Sequence, residues 1–466
     1  MAMAGSGSGS SGPLDVRVSI TDTDGAADPK SGAAPAAAPP TRRLDYLDWL
    51  RALVVALVVA FHSIDLYFDY TYSIGYYVGL VFAPPTDATR AVAIVLAQLM
   101  QSWFMGILFL TSGYFSGPSY DKKGPLKFLW DRALRLLLPL CLYEFLMQPL
   151  AFQIARASPS SPEALRAASD GFSYYFKGYT RLGHGAGWFL VVLFAFDVIY
   201  LAARLAASAA GACAAAASAR RRAGAGADPE AAASKAPPAA GKAAPAGPRP
   251  PFSTAATLGA AAAAAAVIAG LTLIVRAGVL PKLRLNTSMW QLVGIQFQPA
   301  YLEQYVCAFC LGLAARRLDA LARLPAAAGA AAGAAAAALA ALGGAGMVLL
   351  PGSDFGREDK IKGTAAYVAG FAVWEQFYAV AVWLALLVAL RRTANARGGA
   401  VGGVVTGAAF AVYVIHVPVL TAYGLAFEPL AWHPAAKCLL VTPLVAVSTW
   451  LVAAALRCVP GVKRVL

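Results

Sequence analysis

An all-α bundle of about ten transmembrane helices, with both termini cytoplasmic, is the architecture this sequence predicts. Three observations carry it. The 466 residues are 59% hydrophobic and 13% charged, with a mean hydropathy of +0.61, well outside the soluble range. Ten stretches come near the ~20 apolar residues a helix needs to cross a bilayer core: 46–66, 92–115, 130–150, 187–207, 255–276, 299–315, 326–350, 366–390, 403–426 and 435–457. Lysine and arginine then mark alternate connections as cytoplasmic. They are Arg42 and Arg43; Lys122, Lys123 and Lys127; Arg220, Arg221 and Arg222; Arg316, Arg317 and Arg323; Arg391, Arg392 and Arg397; Lys463 and Arg464. Two inside termini require an even number of spans, which favours ten.

In chain order, residues 1–41 are Gly, Ser, Ala and Pro with scattered charges, and lack the apolar core of a secretory signal. They predict a disordered cytoplasmic tail. Residues 42–207 carry the first four helices and 255–466 the remaining six. Between them, 208–254 is rich in Ala, Pro and Arg without periodicity, which predicts a disordered cytoplasmic loop. The net charge of +14 would suggest nucleic acid in a soluble protein. Here the basic residues lie in short blocks between apolar runs, so the expected partner is the lipid bilayer and not nucleic acid. Of the six cysteines, Cys307 and Cys310 form a CxxC with no second pair and no histidine nearby, so no metal site is expected. Pro139, Pro149, Pro418 and Pro443 are expected to kink their helices.

Chemistry concentrates at a few polar positions inside this apolar background. The first helix, TRRLDYLDWLRALVVALVVAFH, carries Asp48 and Arg51 into the membrane and ends on His62. Residues 51 and 62 are about three turns apart, so they share a face while lying roughly 16 Å apart along the axis. An ionisable group at that depth is costly unless it faces protein, water or a partner, which makes it a functional-site candidate. The bland alternative has Arg51 snorkelling to the headgroups and His62 marking the far end of the span. Of the four histidines, His62, His184 before the fourth helix and His416 within the ninth could converge on one outward cavity. No metal-binding spacing joins them.

Arg132 and Arg135, three apart at the cytoplasmic start of the third helix, are neighbours on one face. They suit bidentate binding of phosphate as well as ordinary topological anchoring. Ser112 and Gly113 in the second helix fit either a cavity or close helix packing. Glu375, an acid inside the eighth helix, fits either a pairing with an arginine or a catalytic role. Trp188 in HGAGWFLVVL, and Tyr413 beside His416 in FAVYVIHVPVL, complete the candidate cavity residues.

These motifs together resemble the acyltransferase 3 family of integral-membrane acyltransferases. The resemblance runs through RLDYLDWLRALVVALVVAFHS, FMGILFLTSGYF, DRALRLLLPL, HGAGWFLVVL and YVIHVPVL, and the LDWLR wording is closest to the glucan-modifying branch. It implies a ten-helix enzyme that moves an acyl group from a coenzyme A thioester to a hydroxyl of a carbohydrate or lipid-linked acceptor. No resident cofactor is implied, acyl-CoA being the donor substrate. His62 would be the catalytic histidine, acting as general base or through an acyl-histidine, with Arg51 as its buried partner in the first helix. Arg132 and Arg135 would face the donor, and His184 and Trp188 match a tighter family motif. The competing reading is a secondary transporter, which uses helices, prolines and buried charges of the same kind. No inverted repeat is visible between the halves.

Overall fold

The computed structural model describes residues 44–69, 80, 82–180, 182–183, 185–224, 249–279, 290–292, 295–349, 365–396 and 398–466. The tail 1–41, His184, residues 225–248 of the expected loop and the connection at 354–362 lie outside them. The first span is α1 (Asp45–Phe68), and the second is α2 (Ala88–Gln101) followed by α3 (Phe104–Lys123). The third is α4 (Pro125–Leu142), a π turn over Tyr143–Met147 and α5 (Gln148–Ala155). Pro149 has no N–H to offer Phe145 four residues earlier, and the wide turn sits on that missing bond.

Two short helices follow, α6 (Glu163–Arg166) and α7 (Gly171–Lys177), then a 3₁₀ turn and α8 (Trp188–Gly224). Next come α9 (Thr254–Leu273) with a second π turn over Ile274–Val279, and an antiparallel hairpin of β1 (Trp290–Leu292) and β2 (Ile295–Phe297) that pairs Trp290 with Phe297. The chain ends with α10 (Leu302–Arg317), α11 (Ala320–Arg323), α12 (Ala326–Leu349), α13 (Ala365–Thr393), α14 (Gly399–Phe427) and α15 (Pro434–Leu456).

Among the described residues, nine helices are long and apolar enough to cross a membrane, so this is an integral, multi-pass, all-α bundle. The sequence differs from it in two places. The expected sixth span is α10, only 16 residues long and about 24 Å at 1.5 Å per residue. It starts from a 3₁₀ turn, Pro299–Tyr301, buried in the bundle, and its first residues, Glu303 and Gln304, are buried polar groups. The second difference is α8, which continues to Gly224 through residues expected to be disordered. That extension is exposed over 208–221 and rich in alanine, whose helix propensity needs no packing partner.

The apolar windows are 72% buried in the α2–α3 span and 61% in both α13 and α14, against 22%, 17% and 22% in α9, α12 and α15. The polar-decorated helices therefore form an inner group, and the alanine-rich ones lie at the periphery, where lipid is as apolar as the side chains they carry. Within the inner group α3 and α10 touch backbone to backbone. A Cβ on Gly113 would collide with the carbonyl of Phe309, and one on Gly312 with that of Leu110.

The basic turns gather at one end of the bundle. Trp49 donates to Ala396 O, Arg391 to the carbonyls of Leu321 and Leu324, and Arg323 to Pro250 O.

Candidate functional site

At that basic end a cavity of about 390 Å³ opens between α1, α3, α4, α8 and α14. Its mouth carries Asp48, Arg51, Arg132, Arg135, Arg457 and Lys463. Deeper in, Val55, Leu108, Phe189, Leu193, Phe410 and Tyr413 make an apolar throat. Thr111 and Ser112 also line it.

The guanidiniums at the mouth are held in different ways. Arg51 pairs with Asp48 at 3.2 Å, its side chain still 37% exposed, and lies 4.9 Å from the centre of the Phe115 ring. It is therefore a partly exposed group at the cavity mouth, where the resemblance implies a buried one. A rise of about 1.5 Å per residue keeps it far from His62 on one straight helix. Arg132 is anchored from behind, with Nε 3.3 Å from the fully buried Asp197 and Nη2 2.9 Å from the Ser116 hydroxyl, which itself bonds Asp197. Arg135 is exposed at the mouth. Arg457 donates to Leu466 O and lies over Gly407, where a Cβ would come within 3.3 Å of its Nη2.

His62 and His416 meet above the throat, His62 Nδ1 2.9 Å from His416 Nε2. The ring centroids are 5.0 Å apart with 22° between planes. His416 is fully buried and His62 partly so. The His416 Nδ1 is 2.7 Å from the carbonyl of Tyr413. His416 lies one turn beyond Tyr413 on α14, and His62 two turns beyond Val55 on α1, roughly 5 and 10 Å past the end of the throat. Tyr413 donates to Ala186 O, and its ring lies 5.9 Å from Phe189 and 6.2 Å from His416.

Ala186 belongs to the turn that leads into α8, and Glu144 in the first π turn holds that turn in place. Its carboxylate, fully buried, accepts from Gly183 N at 2.8 Å and from Tyr175 OH at 3.0 Å. Tyr143 OH accepts from Ala186 N. Burial first, and then the Glu144 charge, pushes the Tyr175 phenol far up, so it stays a donor to that carboxylate across the working pH range. Gly183 and Gly185 take positive φ of 88° and 49°, the backbone path that this short turn needs. Trp188 stacks on Tyr305, centroids 5.5 Å apart.

Glu375 belongs to a different cluster. It pairs with Arg276 of the second π turn at 2.7 Å, both side chains fully buried. Arg276 also donates through Nε and Nη2 to Ala300 O, while Gln98, Ser102 and Gln376 approach the Glu375 carboxylate at 3.3 to 3.5 Å. Of the two readings its sequence left open, the pairing with an arginine is the one observed. Neither residue lines the cavity.

The expected set thus divides. Asp48, Arg51, Ser112, Arg132, Arg135 and Tyr413 line one cavity, His62 and His416 meet just beyond it, and Trp188 and Glu375 pack elsewhere. Five residues were not expected at a site: Glu144, Asp197, Arg276, Arg457 and Lys463. The first three are ionisable groups inside apolar stretches, a signal open to the argument applied to Glu375. Lys463 reads as a topology marker and Arg457 carries no signal of its own in the sequence, and only the fold brings them to the mouth.

A family model described as an acyltransferase domain matches residues 44–458. No curated protein and no solved structure matches the chain. With nearly the whole membrane bundle inside that match, the chain belongs to the acyltransferase 3 family and is an integral-membrane acyltransferase.

Proposed function

We propose that the protein transfers an acyl group from acyl-CoA to a hydroxyl of a carbohydrate or lipid-linked acceptor, with His62 as general base. The observation that supports this reading is the alignment of a basic mouth, an apolar throat and the histidine pair. A mouth bearing Arg51, Arg132, Arg135, Arg457 and Lys463 leads into an apolar throat that ends about one turn short of His416 and two turns short of His62. Phosphates of a coenzyme A suit the mouth through bidentate guanidinium contacts, and its narrow pantetheine arm suits the throat. Arg132 is held by Asp197 and serves as a fixed positive wall, while Arg135, Arg457 and Lys463 carry the direct contacts. The thioester passes the ring of Tyr413 to reach the base.

In the reaction His62 takes the proton of the acceptor hydroxyl as its oxygen attacks the thioester carbonyl. The C–S bond breaks and the departing thiolate recovers that proton as free coenzyme A. Such a base contributes about 10²–10⁴-fold in rate. The described basic turns lie at the mouth end, so by the positive-inside rule the donor enters from the cytoplasm. The acceptor then meets His62 from the opposite side. The LDWLR wording of α1 makes glucans the first acceptors to try, with acetyl and succinyl as the acyl groups.

The test is release of free coenzyme A by the purified protein from acetyl-, succinyl- and longer acyl-CoA, with and without mixed glucans. Release that needs both acceptor and His62 is the expected result. A folded His62→Ala protein with full activity overturns the assignment of the base.

A further inference from the structure

The hydrogen bonds of the histidine pair fix where its protons sit. His416 Nδ1 faces the Tyr413 carbonyl at 2.7 Å, and a carbonyl oxygen only accepts, so this nitrogen carries hydrogen. In a neutral ring the other nitrogen, Nε2, is then a bare acceptor. It lies 2.9 Å from His62 Nδ1, and two bare nitrogens at that distance would repel. His62 Nδ1 therefore carries hydrogen and donates it. The 5.0 Å centroid separation with 22° between planes is close to the largest that two rings joined through these nitrogens allow. The rings thus meet edge to edge, as an in-plane N–H requires. With both rings neutral, the form that carries no charge between apolar helices, the lone pair of His62 is on Nε2. Among the described residues that atom has no hydrogen-bond partner, and the ring is partly exposed.

We propose that His416 is a positioning residue that holds His62 in the Nδ1-protonated tautomer and so presents a bare Nε2 to the acceptor hydroxyl. This rests on the reading of His62 as the base. As the hydroxyl oxygen bonds the acyl carbon, its proton moves to Nε2 and His62 becomes an imidazolium. The bond from His62 Nδ1 to His416 Nε2 is then charge-assisted and stronger. When the C–S bond breaks, Nε2 returns the proton to the coenzyme A thiolate, and His416 ends with the protons it began with. Because its bond strengthens only while His62 is charged, His416 acts on kcat and leaves the KM for the donor unchanged.

The tautomer is read directly by nitrogen-15 solid-state NMR of histidine-labelled full-length protein in lipid nanodiscs. The four histidines are assigned with His62→Ala and His416→Gln. Nδ1 protonated and Nε2 bare on His62 is the expected result. A His62 protonated on Nε2, as an imidazolium on His416 donating to His62 would produce, overturns the proposal. Steady-state release of coenzyme A from acetyl-CoA with glucan present tests the consequence. His416→Leu, which cannot accept a hydrogen bond, is expected to lower kcat roughly 10- to 100-fold at unchanged KM. His416→Gln, whose amide oxygen accepts, is expected to restore most of that loss. A folded His416→Leu protein with wild-type kcat, or one whose loss lies entirely in KM, overturns the positioning role. If wild-type protein releases no coenzyme A from any donor, the transferase reading of His62 fails, and the NMR result still decides the tautomer.

Discussion

Two of the polar clusters that bridge helices among the described residues, Arg276–Glu375 and His62–His416, are completed to different degrees. Arg276 and Glu375, 99 residues apart in sequence, form a dense network. The Glu375 carboxylate takes approaches from Arg276, Gln98, Ser102 and Gln376, and Arg276 clasps the Ala300 carbonyl with two N–H groups. That clasp fixes the buried turn from which α10 starts. His62 and His416, 354 residues apart, share one hydrogen bond, with Tyr413 O closing the far side and Nε2 of His62 without a partner among the described residues. A carboxylate bonded on both oxygens in this way holds backbone in place, because a proton it took would cost a bond already made, although Nη1 of Arg276 has no hydrogen-bond partner among the described residues. The open pair can do chemistry, and the basic cavity leads toward it.

The sharpest way to break this contrast is to remove His62, the proposed base. His62→Ala is expected to leave a folded protein with kcat lowered about 10²–10⁴-fold, measured as coenzyme A release beside gel filtration in detergent. The dense cluster should respond in the opposite sense, through folding. Arg276→Met leaves Glu375 buried without its cation, a loss of about 3–5 kcal/mol, seen as a lower thermal midpoint and poor recovery from the membrane. Arg276→Met combined with Glu375→Leu should regain much of that stability, and a double variant no better than the single would show that the pairing is not what holds α10.

At the cavity mouth smaller effects are expected, and they should be confined to donor affinity. Arg135→Ala and Arg457→Ala should each raise the KM for acyl-CoA about tenfold, the worth of one charge-assisted contact, with kcat little changed. A fall in kcat at constant KM would place these residues nearer the chemistry than the cavity shows.

The smallest effect concerns pH at the far end of the bundle. Asp87 caps α2 through the Thr89 N–H and meets His433 at 2.8 Å. The Thr89 hydroxyl first, opposed by partial burial and then aided by the Thr89 N–H and by His433, holds its carboxyl below the ordinary carboxylate range. A carboxyl depressed in the folded state stabilises it fully above the unfolded pKa, about 3.9, and that stabilisation fades as pH falls through the folded value. Amide-exchange protection at residues 88–91, corrected for the intrinsic rate at each pH, should therefore hold from neutral pH down to about 5 and fall only in stronger acid. Protection lost already near pH 6 would show that the Asp87 carboxylate is not what caps α2.

By itself the sequence determined the multi-pass helical bundle, since no soluble fold tolerates apolar runs of that length and charge pattern. It also marked the ends of the path, because Arg51, Arg132, Arg135, His62 and His416 are ionisable groups in apolar surroundings, and such groups are costly enough to stand out one at a time. What pairs with what was left to the tertiary structure. The partner of His62 is on α14, that of Glu375 is an arginine in a π turn, and Arg132 is tied to Asp197 on α8. Hydropathy and spacing describe single helices, and a contact between helices hundreds of residues apart leaves no period in either one. The same reason explains the two elements that differ from expectation. The short α10 is stable because Gly113 and Gly312 let it lie against α3 while Arg276 anchors its entry, and α8 runs on past residue 207 because alanine is helical without needing a partner.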